Sequence, residues 1–206
     1  MTFVSIESRD STDTLEQTPV KGIKMRRRTL DLLLTWVGIL LTVALLGAGA
    51  LLTWGYSFAT STVHTQMAAQ KIYFPAKGSP ELSSPLIKPF LTPYAGQQLL
   101  TGQEAQVYAD HFIGVHLQQI GGGLTYSEIS AKAMADPTNK QLAATVQTMF
   151  QGTTLRSILL TAYAFSVFAM IALWSMIACY ILGVLMLILT LLGYRHYKKV
   201  DPAVEI

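Results

Sequence analysis

The sequence predicts an all-α membrane protein in which two transmembrane helices extend beyond the bilayer as an antiparallel hairpin. A small three-helix extracytoplasmic domain and a proline-rich irregular wrap are expected to lie on its outer part. Three observations predict this fold: two long uncharged runs, a composition that is 51% apolar and only 13% charged, and helix-start signals between the runs. Soluble domains carry about 25% charged residues, so part of this chain must be shielded from water.

The first uncharged run, LLLTWVGILLTVALLGAGALLTWGY, predicts transmembrane helix 1 over residues 30–56. Its length exceeds the ~20 residues that cross a bilayer, and it is too long for the apolar part of a cleaved signal peptide. Trp36 and Trp54 would lie ~27 Å apart along a helix, close to the thickness of the hydrocarbon core. They are predicted to anchor the helix in the two interfacial aromatic belts.

The second uncharged run, residues 157–194, is too long for one span and too short for two spans and a turn. Trp174 and Tyr194 are predicted to anchor transmembrane helix 2, at about 174–194, within a long apolar helix. Residues 157–173 then project beyond the bilayer or occupy its outer edge. An interaction surface is predicted there, because large apolar side chains do not face water as a patch; it consists of Phe165, Phe168 and Ile171. It could pack on residues 57–72, the small helices, lipid or a partner chain.

Basic residues flank both runs and determine the predicted orientation. The positive-inside rule places both termini in the cytoplasm and residues 57–156 outside it. Residues 1–29, which are polar and of mixed charge, are predicted to be a disordered cytoplasmic tail, and residues 195–206 form a second, short tail. The topology signal consists of Lys24, Arg26, Arg27, Arg28, Arg195, Lys198 and Lys199.

The segment between the spans contains helix-start signals after a proline-rich stretch. Residues 57–72 contain no helix breaker and should continue the first helix, whereas five prolines within residues 75–93 predict an irregular wrap. The tetrapeptides TGQE and TYSE, at 101–104 and 125–128, are capping boxes that start two short helices.

A third short helix is predicted to start where Asp136 precedes Pro137, since a capping residue followed by proline is a favourable helix start. A bend at Gly152 would then separate this helix from the second long helix.

The segment FIGVHLQQIGGGLTYSEISAKAMADPTNKQLAATVQTMFQGTTLRSILLTAYAF resembles uncharacterised two-span membrane proteins of actinobacteria with a small helical extracytoplasmic domain. The lead-in HTQMAAQKIYFPAKGSPEL fits the same group, so the resemblance covers roughly residues 60–170. It implies a bacterial cytoplasmic membrane and an outer segment facing the envelope space. It implies no activity, cofactor or catalytic residue.

The stretch YADHFIGVHLQQIGGG contains the most chemically suggestive residues of the chain. On an α-helix, His111 and His116 are about 140° apart, whereas zinc-chelating helices use histidines four residues apart on one face. His116 instead continues an apolar stripe and is expected to face the core. A metal site would need distant ligands, and the candidates are His116, His64 and Glu128; the hypothesis favoured is that no metal is bound.

Neither catalysis nor transport is predicted. Gly121–Gly123 lacks the preceding strand and following Lys-Ser/Thr of a phosphate loop, so it is interpreted as a helix stop. Cys179 lies in an apolar run, and no G-x-S-x-G motif occurs. The runs hold no other ionisable group for a proton or ion path. No cofactor, enzymatic activity or nucleic-acid partner is therefore expected.

The function predicted is that of a non-enzymatic accessory or assembly subunit of an envelope complex, whose outer helical domain binds a protein partner or a second copy. Small residues such as Gly38, Thr42, Gly47 and Gly49 permit close helix approach in the first span, most simply by the chain's own second helix. Two alternatives remain: an extracytoplasmic ligand-sensing module that signals through a partner, and a lipid-binding protein with a lipid-lined groove between the helical extensions.

Overall fold

The structure, a computed structural model, describes residues 27–199, and the tails with Lys24 and Arg26 lie outside the described residues. Two long helices dominate it, α1 (Arg27–Gln70) and α6 (Lys140–Tyr197). Between them lie α2 (Lys88–Leu91), α3 (Gly102–Tyr108), α4 (Gly114–Ile120), α5 (Tyr126–Ala135), two 3₁₀ turns (Pro80–Ser83 and Thr92–Tyr94) and a π-helical segment (Ala109–Ile113). Residues 27–199 contain no β-strand, which confirms the all-α class.

Both long helices are long and apolar enough to cross a bilayer. Only 22% of the most apolar stretch of α1 and 11% of that of α6 are buried within the chain. A helix that is apolar on all sides is buried in a protein core or in a membrane. Since the chain covers so little of either stretch, its own fold does not supply that core.

Small residues form the seam between α1 and α6. A Cβ atom added at Gly38 would overlap the hydroxyl of Thr190, and one added at Gly49 would lie 2.8 Å from the ring of Tyr180. From the opposite helix, a Cβ atom at Gly183 would lie 2.9 Å from Leu46. The partner number falls as the α1 number rises, so the helices are antiparallel, as predicted. Bare Cα atoms allow the two backbones to approach closely.

The small residues in the apolar part of α1 divide between two faces. Thr42 is 5% exposed and, with Gly38 and Gly49, lies against α6. Gly47 would meet nothing within 4 Å if it carried a side chain, so it faces away from the seam. The chain's own second helix therefore accounts for only part of the small-residue pattern.

The outer part of the hairpin holds a compact core. As predicted, α1 continues beyond residue 56; it ends before Lys71, whose φ of 52° is left-handed. The proline-rich wrap closes on itself, because the Phe74 N–H donates to the carbonyl of Gln97 at 2.9 Å. The wrap and α3 bury apolar side chains against Leu159 of α6, which is fully buried. This core comprises Val63, Met67, Phe74, Leu82, Ile87, Leu91, Leu99, Ala105, Ala109, Ile113 and Leu159.

The predicted third short helix is wrong. Asp136 caps the end of α5, and its carboxylate accepts a hydrogen bond from the Thr138 hydroxyl at 2.9 Å. Asn139 is the true helix start, because its Oδ1 accepts from the Leu142 N–H at 3.0 Å. The resulting helix, α6, runs without a break from Lys140 to Tyr197.

The bend predicted at Gly152 is therefore absent. A Cβ atom there would lie 2.5 Å from Leu117, so the glycine makes room for a packed side chain from α4. The second long helix begins at Lys140 rather than at residue 157, and its upper part takes the place of the third short helix.

A leucine at Gly49 should destabilise the hairpin, because its side chain must displace the Tyr180 ring from the seam. Overpacking of this kind costs about 1–3 kcal/mol. Thermal unfolding of the purified chain in detergent should show a lower midpoint for Gly49→Leu. Gly47→Leu is the matched control, since its side chain would enter open space. Equal unfolding midpoints for the two variants would contradict the close packing of α1 against α6 at Gly49.

Candidate functional site

The histidine-containing helix carries an irregularity that the sequence did not reveal. It starts as predicted at a capping box, in which the Glu104 N–H donates to Thr101 Oγ1 at 3.2 Å and Glu104 Oε2 accepts from the Thr101 N–H at 2.9 Å. Midway, the π-helical segment Ala109–Ile113 interrupts the α-helical pattern, and the Gly114 N–H bonds the carbonyl of Ala109, five residues back. Single π-helical turns occur frequently at functional sites.

Arg156 of α6 holds this π-helical segment. Its Nη2 lies 2.7 Å from Asp110 Oδ1, and its Nε donates to the Ala109 carbonyl at 3.3 Å. A Cβ atom at Gly114 would lie 3.6 Å from the Nε atom, an ordinary contact distance, so the guanidinium packs beside this glycine without requiring it. The side chains of Arg156 and Asp110 are 41% and 33% exposed. Exposed ion pairs contribute little to the free energy of unfolding. The pair therefore mainly positions the segment.

A cavity of about 500 Å³ lies beside this ion pair, between α4, α5 and α6. Its wall includes Asp110, Gln118, Thr125, Met149 and Arg156. That volume suits a small molecule. The only two charged groups in the wall are bonded to each other, so their charges largely offset each other at this cavity.

The two histidines have separate roles. The ring of His111 stacks on Phe90, with the ring centroids 3.5 Å apart and the planes 3° from parallel. His116 is half-buried, with its Nδ1 2.7 Å from the carbonyl of Phe112. The 140° estimate assumed a regular α-helix and does not hold across the π-helical segment. The two histidines nevertheless contact different partners, His111 the ring of Phe90 and His116 the ring and carbonyl of Phe112.

The three candidate metal ligands do not meet. His64 lies on α1 beside a different cavity, and Glu128 Oε2 accepts from the N–H and hydroxyl of Thr125, at 2.7 and 2.8 Å. Across residues 27–199, no three His, Cys, Asp or Glu side chains gather as a metal site would require. Nothing in this geometry supports the metal hypothesis for His116.

The three consecutive glycines end the helix, as predicted. Gly122 and Gly123 have φ angles of 56° and 82°, in the left-handed region that favours glycine. The N–H groups of all three donate to carbonyls of α4: Gly121 to Leu117, Gly122 to Gln119 and Gly123 to Gln118. These donors are therefore already used and cannot cradle a phosphate.

The predicted interaction surface is open. Phe165, Phe168 and Ile171 are 53%, 67% and 56% exposed, so they do not pack on residues 57–72 or on the small helices. Lipid and a partner chain remain as their possible neighbours. Cys179 is half-buried farther along the same helix.

One ionisable side chain of α3, Tyr108, and one of α5, Glu128, have shifted pKa values. Burial raises the pKa of Tyr108, which packs edge-on against Phe74 at 5.4 Å between ring centroids. Hydrogen bonds from the backbone N–H and then the hydroxyl of Thr125 lower the pKa of Glu128. The first shift reflects the core and the second a helix cap, so neither indicates an acid or base prepared for catalysis.

Comparison with known proteins adds no family. No protein-family model matches the chain, and neither the curated proteins nor the solved structures contain a significant match.

Replacing Arg156 by Gln should cost more stability than replacing Asp110 by Asn, because the arginine also bonds the Ala109 carbonyl. A double-mutant cycle on the free energy of unfolding should give a coupling of about 0.2–1 kcal/mol, the usual range for exposed pairs. A zero coupling with equal single effects would contradict the role assigned to Arg156.

Glu128 should give a pH-dependent contribution to stability. Its pKa is lowered in the fold, so the contribution is present above the ordinary value of 4.5 and is lost as pH falls through the lowered value. Thermal melts of Glu128→Gln and the native chain should therefore differ at neutral pH and converge in acid. A gap that does not change with pH would contradict the cap as its source.

Proposed function

We propose that the chain is an integral membrane protein with two spans and cytoplasmic termini, and that it acts as an accessory or assembly subunit of an envelope complex. The membrane placement is supported by the register of the seam. Gly49 of α1 faces Tyr180 of α6. Toward the outer end of the hairpin, Trp54 lies five residues beyond Gly49, and Trp174 lies six residues beyond Tyr180. At the other end Gly38 faces Thr190, near Trp36 and Tyr194.

The aromatic residues of the two helices thus lie at two matching levels. The sequence predicts each pair of anchors from its own uncharged run, without reference to the other helix. All four side chains are exposed, Trp36 by 58%, Trp54 by 68%, Trp174 by 66% and Tyr194 by 43%. Interfacial belts require such exposure. Arg195, Lys198 and Lys199 are exposed just beyond the inner level, in agreement with the positive-inside rule.

Beyond the outer level the two helices differ in polarity. Apart from Phe58, which stacks on Trp54, the exposed α1 side is polar from Ser57 onward, with hydroxyls, His64 and Gln66. On α6 the exposed residues remain apolar, and Phe168 and Phe165 lie ~9 and ~14 Å beyond Trp174. Shifting the bilayer outward to cover these phenylalanines would draw the polar part of α1 into hydrocarbon, which is unfavourable.

The outer apolar stripe, made of Phe165, Phe168 and Ile171, carries the functional proposal. Large exposed apolar patches outside a membrane mark sites of protein interaction. The stripe continues directly into the lipid-facing side of α6, where Ile181 and Leu185 are 57% and 51% exposed. Its occupant should therefore share both environments. An apolar helix of another membrane protein, extending above the bilayer alongside α6, fits this requirement.

The proposal is tested by photocrosslinking in intact membranes. A photoreactive phenylalanine analogue at Phe168 should form one discrete adduct with another membrane polypeptide, and Phe165→Gln in the same chain should reduce its yield. The control carries the analogue at Thr62, an exposed residue of α1 at a similar height. An adduct of twice the chain's mass would identify the partner as a second copy of this chain. Adducts to lipid alone would contradict the docking function.

A further inference from the structure

A groove lies on the flank of the outer α6 segment that faces away from the apolar stripe. It is formed by α1, the start of α3 and α6. It encloses about 430 Å³, within the range of small-molecule sites. We call it the hydroxyl groove; its wall includes Tyr56, Gln103, Gln106, Tyr163, Ser166 and Met170. A neighbouring cavity of about 400 Å³ shares its Thr60, Thr101, Gly102 and Ser166.

The polar side chains of the hydroxyl groove are uncharged, and among them the hydroxyls of Thr60 and Thr101 are already hydrogen-bonded within the chain. Tyr56, Gln106, Tyr163 and Ser166 are half-buried, yet among residues 27–199 their side chains have no hydrogen-bond partner. Half-buried polar groups that converge without protein partners are available to a ligand. The wall contains no Asp, Glu, Lys or Arg. A ligand with hydroxyl or carbonyl groups would be satisfied there, whereas a phosphate would lose its hydration without gaining a cation.

The position of the groove indicates where this ligand comes from. Tyr56 lies two residues beyond Trp54, and Met170 lies four residues before Trp174, so the groove begins at the outer aromatic level. Its apolar rim is open, with Val167 and Met170 39% and 53% exposed. Met170 and Val167 lie ~6 and ~10 Å beyond Trp174, so a lipid bound along this rim would be raised partly out of the outer leaflet, with the ends of its acyl chains still in the hydrocarbon and its head group against the polar wall.

We propose that the hydroxyl groove binds one uncharged, hydroxyl-bearing lipid from the outer leaflet. Its acyl chain lies along Val167 and Met170, and its head group exchanges hydrogen bonds with Gln106, Tyr163 and Ser166. This inference rests on the membrane placement proposed above but is independent of the docking stripe, which lies on another flank of α6.

The test uses the purified full chain in detergent and two lipids with the same acyl chains, galactosyl diacylglycerol and phosphatidylglycerol. Native mass spectrometry should show saturable binding of one galactosyl lipid and weaker binding of the phospholipid. Tyr163→Phe and Gln106→Leu keep side-chain bulk but remove hydrogen bonds, so each should weaken galactosyl lipid binding about three- to tenfold. The matched controls Tyr73→Phe and Gln119→Leu, exposed and outside the groove, should bind normally.

Met170→Trp should block the rim and reduce binding of the galactosyl lipid. Galactosyl lipid binding that is insensitive to all three groove variants would overturn the proposal, as would equal binding of the two lipids. Alkaline carbonate extraction of native membranes distinguishes a failure of the membrane placement from a failure of the lipid-binding proposal. Release of the chain would overturn the membrane placement as well, whereas retention together with insensitive binding would overturn the groove alone.

Discussion

The close approach of α1 and α6 determines the position of almost everything else in the molecule. Three glycines, Gly38, Gly49 and Gly183, each leave a space that a side chain of the opposite helix occupies. This interlocking permits one register, since sliding either helix by a turn would set side chains against side chains. The register aligns Trp54 with Trp174 and Trp36 with Tyr194, and it brings the outer part of α1 beside Leu159, around which the wrap is buried. In a bilayer, where lipid is as apolar as the helices, such packing would hold them together without a hydrophobic driving force.

The continuity of α6 links that seam to the histidine helix. One uninterrupted helix carries Gly183 in the seam, Leu159 in the outer core and Arg156 at the π-helical segment. A bend at Gly152 would have separated the cavity wall from the core below it. The glycine allows Leu117 to pack directly against the helix, so the small helices are attached to a straight support. Their position follows from the same geometry as the apolar part of the hairpin.

Features governed by neighbouring residues could be predicted from the sequence, and features governed by distant ones could not. The capping boxes at Thr101 and Thr125 and the glycine stop at Gly122 depend on hydrogen bonds within a few residues, and all three are confirmed. The start at Asp136 was wrong because a second capping residue, Asn139, follows three residues later and the two signals compete. The bond between Arg156 and the Ala109 carbonyl joins residues 47 positions apart, and no local pattern reveals it. The π-helical segment could not be predicted for the same reason, because it depends on contacts with α6, which is distant in the sequence.

The outer segment of α6 presents two chemically different flanks, and this difference bears on how the chain could work. Phe165 and Phe168 project from an apolar flank, where a protein helix or lipid chains could lie but a hydrated ligand could not. Tyr163 and Ser166 face a flank rich in unused hydroxyls, where a purely apolar helix would leave them unsatisfied. A single occupant cannot suit both flanks. A subunit that docks on one flank and holds a neutral lipid on the other would satisfy each surface by its own chemistry, and the rigid helix between them would keep lipid and partner at a constant separation.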